Sequence, residues 1–474
     1  MPAGALYVRA GMIADAGPYT DLRARYPDAP VIGDGSHVVA PGFVNAHSHG
    51  RGVSTLRQGF PDEPLELRSI GLRGSLLADP YWDVRYACGR QALHGITTTV
   101  HADSYYAGPV EGYEMRLRRV LAAYRDSGLR FRVALGIKDQ NTFTYVDDDA
   151  FLAGLPRPAQ EEAGAWPRPS LSVDDYLALY GRLAAEYGTE VLQFGPTNPV
   201  WCSDDLLAAL DDQATRRGVR LHIHLLETIY QRAYAVRQYG QTAVARLEAL
   251  GLLHPGVTFV HCVWATAEDL ALLADAGADI AHNPSSNLRL RSGVAPVPAM
   301  VRRGISIGLG IDSLAMNDDD DILEEARLAH LLHSRPGLSC DAIPPGLVLA
   351  WATTGGARIA GDANVGTLHP GSHADAILFS GEEPPGDPAD AGANIAAALV
   401  QRPRAFQIDT VMVGGRPVVT NGRLAGCDAE ALERRALESW SSRPAPPVVD
   451  TVRAEVVRIL AGWHAEEAIR ALID

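Results

Sequence analysis

Short apolar runs alternate with amphipathic helical stretches along most of the chain. The runs predict eight strands rich in Val, Ile and Leu, namely Val38–Asn45, Ile96–His101, Phe131–Ile137, Val191–Phe194, Val219–Leu225, Val257–Val263, Asp279–His282 and Ile305–Ile311. Strands of this composition are typical of a parallel sheet buried on both faces by helices. The stretches between them predict helices over Asp83–Leu93, Tyr113–Asp126, Val173–Glu186, Asp204–Arg217, Ala265–Asp275 and Pro298–Arg303. Eight such units over roughly 300 residues predict an α/β fold with a (β/α)8 TIM barrel, and a doubly wound open sheet is the competing arrangement.

The segments on either side of this repeat have the pattern of short antiparallel strands. They are Ala5–Asp15 and Val31–Val39 before it, and Ala374–Phe379, Thr410–Val413, Arg416–Thr420 and Arg423 after it. The dipeptides Gly414-Gly415 and Asn421-Gly422 are typical of hairpin turns. We therefore predict a small β-sandwich built from both chain ends. The expected domains are residues 1–39 and 366–425 for the sandwich, 40–365 for the barrel and 426–474 for a C-terminal helical tail.

Two further segments have no place in the barrel repeat. Residues 138–171 show no clear period and contain four prolines. Because a long loop after a strand is usually functional or disordered, we expect a lid, with an ordinary surface insertion as the alternative. After Gly426 the pattern predicts helices over Leu432–Trp440 and Val452–Ile473.

Composition and charge narrow the classes of partner. The chain has 474 residues, with 42 Lys+Arg, 57 Asp+Glu and a formal net charge of −15, which argues against a nucleic-acid partner. No apolar run reaches about 18 residues, so we expect no membrane span. Five cysteines without a repeated spacing, and a first segment unlike a signal peptide, favour reduced thiols and a cytoplasmic location. We expect a small-molecule substrate and a homo-oligomer.

Side chains that bind metals or transfer protons follow four of the predicted strands. They are His47 and His49 after the first strand, His222, His224 and Glu227 around the end of the fifth, His261 at the end of the sixth, and Asp312 after the eighth. Residues two apart on a strand point to the same side, and the carboxyl ends of barrel strands meet at one rim. Three imidazoles and one carboxylate suit Zn²⁺ or Fe²⁺, with water in an open position.

The motifs around these residues resemble those of the amidohydrolase superfamily, in its branch of cytosine, guanine and S-adenosylhomocysteine deaminases and triazine hydrolases. The resemblance covers about residues 5–425. It is carried by Pro-Gly-Phe-Val-Asn-Ala-His-Ser-His (41–49), Gly-Ile-Thr-Thr-Thr (95–99), His-Ile-His-Leu-Leu-Glu-Thr (222–228), Val-His-Cys-Val-Trp (260–264), His-Asn-Pro-Ser-Ser-Asn-Leu-Arg-Leu-Arg-Ser-Gly (282–293), Gly-Leu-Gly-Ile-Asp-Ser (308–313) and Gly-Ser-His-Ala-Asp-Ala (371–376). It implies a barrel joined to a β-sandwich, as the strand pattern does.

The resemblance also implies roles for individual residues. The ligands of a single divalent metal, Zn²⁺ in the first place and Fe²⁺ as the alternative, would be His47, His49, His224 and Asp312. Metal coordination makes hydroxide available near neutral pH, and this hydroxide would attack an electrophilic sp² carbon. Asp312 would take the proton of the water, Glu227 would deliver one to a ring nitrogen or leaving group, and His261 would contact the water or the developing oxyanion.

Lys138 is the only lysine, and its position bears on the number of metals. Two-metal members of the superfamily use a carboxylated lysine on the fourth strand, whereas the predicted fourth strand here, Val191–Phe194, contains none. We therefore expect one metal per chain. Lys138 follows the third strand, where it would either face the pocket or be solvated. His222 lies on the same strand side as His224 and is interpreted as a packing histidine or a residue behind the ligands.

Substrate contacts and charged loops are less constrained by the motifs. The candidate substrate-binding residues are His101, Lys138, Gln193, Trp201 and Asn317. The runs Asp147–Asp149 and Asp318–Asp321 are either charge at helix starts or an acidic rim that favours a neutral or cationic substrate over an anionic one.

Three functions remain open at this point. The favoured one is a deaminase that acts on a purine-, pyrimidine- or triazine-like heterocycle. The second is a hydrolase of another C–N or C–X bond, such as an amide, guanidine or triazine substituent. The third is a catalytically inactive binding protein, against which the intact set of motif residues argues.

Overall fold

The computed structural model describes residues 3–72, 78–312, 320–334, 337–338, 343–381, 391–402, 406–440 and 448–463. Its strands are β1 Gly4–Arg9, β2 Met12–Pro18, β3 Val38–Pro41, β4 Phe43–Ser48, β5 Ile96–Ala102, β6 Arg130–Ile137, β7 Leu192–Pro196, β8 Leu221–Leu225, β9 Val257–His261, β10 Asp279–His282, β11 Ser306–Leu309, β12 Ala376–Gly381, β13 Phe406–Val413, β14 Arg416–Thr420 and β15 Arg423–Leu424.

Helices fill the connections between the strands. Those up to β11 are Tyr19–Arg25, Leu65–Gly71, Pro80–Leu93, Val110–Ser127, Asp148–Ala153, Arg157–Gly164, Val173–Tyr187, Asp204–Arg217, Ile229–Tyr239, Ala243–Ala249, Ala267–Asp275, Pro284–Arg289 and Val297–Arg302. Those after β11 are Ile322–Leu332, Pro345–Ala350, Gly356–Ala360, Ala391–Gln401, Ala429–Glu438 and Val449–Leu460. Short 3₁₀ and π-helical turns cover Thr189–Val191 and Trp351–Gly355.

The strands β4 to β11 form one parallel sheet in chain order, which confirms the predicted TIM barrel. The sheet closes at its carboxyl rim, where Ser48 at the end of β4 bridges Asp312 after β11. Two main-chain hydrogen bonds make this closure, from Asp312 N to His47 O at 3.0 Å and from His49 N to Asp312 O at 2.6 Å. These main-chain bonds therefore bring together His47, His49 and Asp312, which are three of the predicted metal ligands.

The first predicted strand is wrong as a single element. Residues Val38–Pro41 pair with β12 in the small antiparallel sheet, and the barrel strand starts only at Phe43. Gly42 separates the two strands, and a Cβ atom there would lie 2.2 Å from Thr97 Oγ1. The chain can pass this closely from one sheet into the other only at a glycine.

Both chain ends contribute to the small β-domain, as predicted. Its five-stranded sheet has the order β15-β14-β13-β12-β3, in which the strand before the barrel pairs antiparallel with strands after it. The β1–β2 hairpin lies against the same domain, with Ile13 N donating to Ser372 O at 2.8 Å. The predicted turns Gly414-Gly415 and Asn421-Gly422 connect β13 to β14 and β14 to β15.

The predicted lid is a folded part of the molecule. Residues 138–171 contain the helices Asp148–Ala153 and Arg157–Gly164. Their apolar side chains share a second buried cluster with the C-terminal helix Val449–Leu460, in which Phe143 stacks on Phe151 with ring centroids 5.0 Å apart. The absence of a sequence period reflects short helices joined at prolines rather than a free loop. We call this packed segment the cap.

Two other expectations concern the last part of the chain and membranes. The predicted tail helices are observed as Ala429–Glu438 and Val449–Leu460, and residues 464–473 of the second prediction lie outside the described residues. Among the described helices, none is long and apolar enough to cross a membrane.

Candidate metal centre

Five of the predicted side chains converge at the carboxyl rim of the barrel. The nitrogen ligand atoms of His47, His49 and His224 lie within 4.8 Å of one another. The same limit holds for the ligand atoms of His47, His261 and Asp312. His47 belongs to both groups, so we call these five residues the metal centre. The His49 side chain is 26% exposed, so the centre is open to solvent on that side.

Main-chain carbonyls orient two of the imidazoles. His49 Nδ1 lies 2.7 Å from Ala102 O, and His224 Nδ1 lies 2.9 Å from Thr197 O. A carbonyl oxygen only accepts, so each Nδ1 carries the proton and each Nε2 keeps its lone pair. Neutral imidazoles with a free lone pair are the form that binds a metal.

Two buried ligand atoms have no hydrogen-bond partner among the described residues. They are His47 Nε2 and Asp312 Oδ1, which lie 3.5 Å apart. His49 Nε2 lies 3.3 Å from the same carboxylate oxygen, while Ser286 donates to the other oxygen, Oδ2. A buried polar atom without a partner costs about 1–3 kcal/mol. A cation between these atoms would satisfy both, so the residues fit a divalent metal.

Burial and mutual charge set the ionisation of the centre. Burial lowers the pKa of His47 to about 4 and holds the pKa of His224 well below its ordinary value. Burial alone would raise the pKa of Asp312, but its contacts with His47, His49 and His261 bring that pKa well below the usual range. Neutral imidazoles beside an ionised carboxylate are the state required for metal binding.

Glu227 lies beside the centre as a carboxyl group with the opposite tendency. Its Oε1 lies 3.7 Å from His261 Nε2, and His261 Nδ1 lies 2.8 Å from Asn287 Oδ1. Burial, followed by the negative charges of Asp312 and Glu66, raises the pKa of Glu227 well above its ordinary value. Glu227 therefore keeps a proton where Asp312 does not, and such a divided pair is suited to acid–base chemistry.

A buried hydrogen-bond network that the sequence did not indicate holds Glu227 in place. Gln231 Oε1 accepts from Glu227 N at 2.8 Å, and Gln231 Nε2 lies 3.4 Å from Tyr145 Oη. Tyr145 Oη and Thr228 Oγ1 both donate to Glu66 Oε1, at 2.8 and 2.6 Å. Tyr145 belongs to the cap, so the cap is tied to the backbone of Glu227. Thr228 stands in a quoted motif, but nothing in the sequence pattern pointed to Glu66 or Tyr145.

The structure brings two of the predicted substrate residues together. Lys138 Nζ lies 3.8 Å from the ring centre of Tyr105 and 5.2 Å from that of Trp201. These residues follow β6, β5 and β7, so they belong to neighbouring loops at the carboxyl rim. Trp201 in turn lies 6.0 Å from Tyr145, measured between ring centroids.

The other substrate candidates do not join this group. The His101 ring nitrogens contact Tyr124 Oη at 2.9 Å and Asp103 Oδ1 at 3.4 Å, so the ring is turned toward the helix Val110–Ser127. Gln193 is the second residue of β7, and its amide donates to Ile359 O, away from the carboxyl rim. Asn317 lies outside the described residues.

The acidic runs serve helix starts where the structure describes them. Asp147 accepts from the main-chain N–H groups of Asp149 and Ala150, and Asp321 begins the helix Ile322–Leu332 in the same way. Asp320 is buried, 3.4 Å from the guanidinium of Arg90. Asp318 and Asp319 lie outside the described residues. Asp321 therefore favours the helix-start interpretation, whereas Asp320 belongs to a buried ion pair.

Comparison with protein families gives one match that covers most of the chain. The model of the amidohydrolase family matches residues 38–418, which include every strand of the barrel. A second model, an imidazolonepropionase-like composite domain of bacteria, matches residues 4–29.

Several relatives align over nearly the whole chain. A 5-methylthioadenosine/S-adenosylhomocysteine deaminase of Desulforudis audaxviator is 32% identical over 440 residues, which cover 91% of this chain and 93% of that protein. The 8-oxoguanine deaminase of Pseudomonas aeruginosa is 30% identical over 451 residues, covering 91% and 94%.

Solved structures show the same fold. An adenosine deaminase from Xanthomonas campestris with bound zinc has a TM-score of 0.73 at 24% identity and covers 95% of this chain and 94% of that one. An atrazine chlorohydrolase from Arthrobacter aurescens TC1, complexed with zinc, has a TM-score of 0.73 at 22% identity and covers 92% and 94%. The chain therefore belongs to the amidohydrolase family, and it is a hydrolase that acts on carbon–nitrogen bonds.

Proposed function

We propose that this protein is a metal-dependent deaminase that removes an amino group from an aminopurine-type small molecule. One observation carries the proposal: a buried, proton-holding Glu227 stands beside a convergent set of imidazoles and an ionised carboxylate. The relatives that align over nearly the whole chain support a purine ring, since they are deaminases of adenine-containing compounds and of 8-oxoguanine.

The metal would be a single divalent cation, Zn²⁺ in the first place, held by His47, His49, His224 and Asp312. When bound, such a cation makes water acidic enough to act as a nucleophile near neutral pH. The unpaired His47 Nε2 and Asp312 Oδ1 support this choice of ligands, as do the carbonyl-oriented rings of His49 and His224.

The remaining steps belong to the protein's own groups. Asp312 Oδ1, which is ionised, accepts the proton of the attacking water. Glu227, which is protonated, donates to the ring nitrogen next to the carbon under attack. Asp312 then passes the proton that it accepted to the amino group, which leaves as ammonia as the C–N bond breaks, and the added oxygen returns its remaining proton to Glu227 as the C=O bond forms. His261, which is oriented by the contact of its Nδ1 with Asn287 Oδ1, contacts the oxygen that gains negative charge. General acid–base groups of this kind typically contribute about 10²–10⁴-fold to the rate.

Product analysis of the zinc-loaded enzyme tests the function. We expect ammonia release from at least one of S-adenosylhomocysteine, 5-methylthioadenosine, adenosine and 8-oxoguanine, and a release slower by about 10²–10⁴-fold from the Glu227→Gln variant under the same conditions. Atrazine serves as the comparison substrate, because its hydrolysis releases chloride instead. Chloride release without ammonia release from any aminopurine, or binding without turnover, would contradict the proposal.

We also propose a homo-oligomer in the cytoplasm. The exposed apolar side chains of Met115 and Leu331 support self-association, since large apolar groups at a surface favour interfaces. Light scattering on the purified protein tests this, and a monomer mass at micromolar concentration would contradict it. Localisation of a tagged chain in cells tests the compartment.

A further inference from the structure

We propose that His222 is a positioning residue that sets the tautomer and orientation of His47 toward the metal. The inference rests on the proposed ligand set. His222 precedes His224 by two residues on β8 and is buried at 1% exposure. Its Nε2 lies 2.8 Å from His47 Nδ1, and the two rings meet edge to edge, with centroids 5.1 Å apart and planes 15° from parallel.

The protons of this pair follow from the ligand geometry. The His47 Nε2 atom lies 3.5 Å from Asp312 Oδ1 and has no hydrogen-bond partner in the described part of the chain, so in the proposed site it presents a lone pair to the cation. Its Nδ1 then carries the proton and donates it to His222 Nε2. His222 must accept, so its own proton lies on Nδ1.

This arrangement differs from the support of the other imidazole ligands. His49 and His224 donate from Nδ1 to carbonyl oxygens, which are fixed by the backbone. His47 donates to a side chain, and that side chain can be replaced without moving the chain. Partners behind metal ligands typically change metal affinity by about 10–100-fold when they are mutated.

Substitution of His222 tests whether its Nε2 atom is the hydrogen-bond acceptor of His47. The His222→Leu variant removes it and keeps an apolar side chain of similar bulk, while His222→Gln places an amide oxygen near the position of Nε2. The matched control is His333→Leu, in which another buried imidazole is lost whose Nε2 atom contacts His282 and not a proposed ligand. Zinc affinity is measured by competition with a chelator of known affinity, and the Co²⁺-loaded proteins give an absorption spectrum that reports ligand geometry.

We expect His222→Leu to lose about 10–100-fold in zinc affinity and to alter the Co²⁺ spectrum. We expect His222→Gln to keep most of the affinity, and His333→Leu to match the wild type. Wild-type affinity and spectrum in His222→Leu would overturn the inference. A wild type that binds no metal through His47 would instead overturn the proposed ligand set.

A neutron structure of the zinc-loaded wild type keeps the inference testable if the leucine variant does not fold. We expect deuterium on Nδ1 of both His47 and His222. Deuterium on His222 Nε2 would show that it donates rather than accepts, and would overturn the assignment.

Discussion

Two groups of buried imidazoles lie on the barrel, and only one of them is built like a ligand set. In the metal centre, ligand atoms from four strand ends form two groups that share His47, each within 4.8 Å, and two of these atoms lack a hydrogen-bond partner among the described residues. In the second group, His282 at the end of β10 contacts His333 after the helix Ile322–Leu332, with their Nε2 atoms 3.0 Å apart. Those two nitrogens satisfy each other.

The comparison shows that a lowered pKa does not by itself mark a functional histidine. Burial holds the pKa of His282 well below its ordinary value and lowers the pKa of His333 to about 4, much as it lowers the pKa of His47 to about 4. The two groups differ in what their imidazole nitrogens face. The Nε2 atoms of His47 and His49 lie beside the same carboxylate oxygen of Asp312, whereas the Nε2 atoms of the second pair lie beside each other.

The largest expected effect is a loss of activity in a variant beside the metal centre, which a variant of the His282–His333 pair should not show. Changing Glu227→Gln should lower kcat by about 10²–10⁴-fold, because the amide cannot donate a carboxyl proton. Metal content should stay at the wild-type level, since Glu227 is not among the proposed ligands. Steady-state kinetics and elemental analysis measure the two quantities. His333→Gln is the control, with near wild-type kcat, and a Glu227→Gln variant with full rate would assign the proton transfer elsewhere.

The stability gained from metal binding should depend on the metal centre and not on the His282–His333 pair. A metal that binds only the folded state stabilises it by about 4 kcal/mol when its free concentration is about 1,000 times Kd. We therefore expect a large rise in Tm when zinc is returned to the chelated wild type. His333→Gln should keep that rise and His49→Gln should lose most of it. Equal rises in the two variants would break the distinction between the groups.

The His282–His333 pair should appear in the pH dependence of folding instead. An unfolded histidine has a pKa near 6.5, and the folded pKa of His333 is about 4, so its contribution is complete above pH 6.5 and is lost as the pH falls toward 4. From pH 7 to pH 5 this corresponds to about 2 kcal/mol. Urea unfolding at both pH values should show that His333→Gln loses that much less stability than the wild type. An identical loss would show that His333 does not titrate in this range.

The smallest expected effect concerns two aspartates, one of which belongs to the metal centre while the other begins a helix. Asp312 faces the metal centre, whereas Asp321 accepts from Leu323 N and Glu324 N at a helix start. Asp321→Ala should therefore cost about 1 kcal/mol of stability, as the loss of an N-cap does. The salt dependence of kcat/KM should not change. A shallower salt dependence in the variant would indicate that the acidic run acts electrostatically on the substrate.

Much of the fold followed from local patterns. Short apolar strands at regular intervals predicted the barrel, and the hairpin dipeptides predicted the small sheet, because strand burial and turn geometry are properties of neighbouring residues. The errors occur where a single sequence pattern is compatible with two different structures. Val38–Asn45 is a continuous apolar run, but the change of sheet at Gly42 depends on the approach of Thr97. In the cap, two short helices gain stability from the C-terminal helix, which no local period reveals.

The candidate site divides in the same way. The sequence by itself determined which side chains end the barrel strands, because residues at the carboxyl ends of parallel strands share one rim. Only the tertiary structure decided how they are supported. Thr228 meets Glu66 across 162 residues of chain, and Tyr145 meets Glu66 across 79. Such contacts depend on how the closed barrel packs against its loops, so their partners cannot be identified from spacing along the chain.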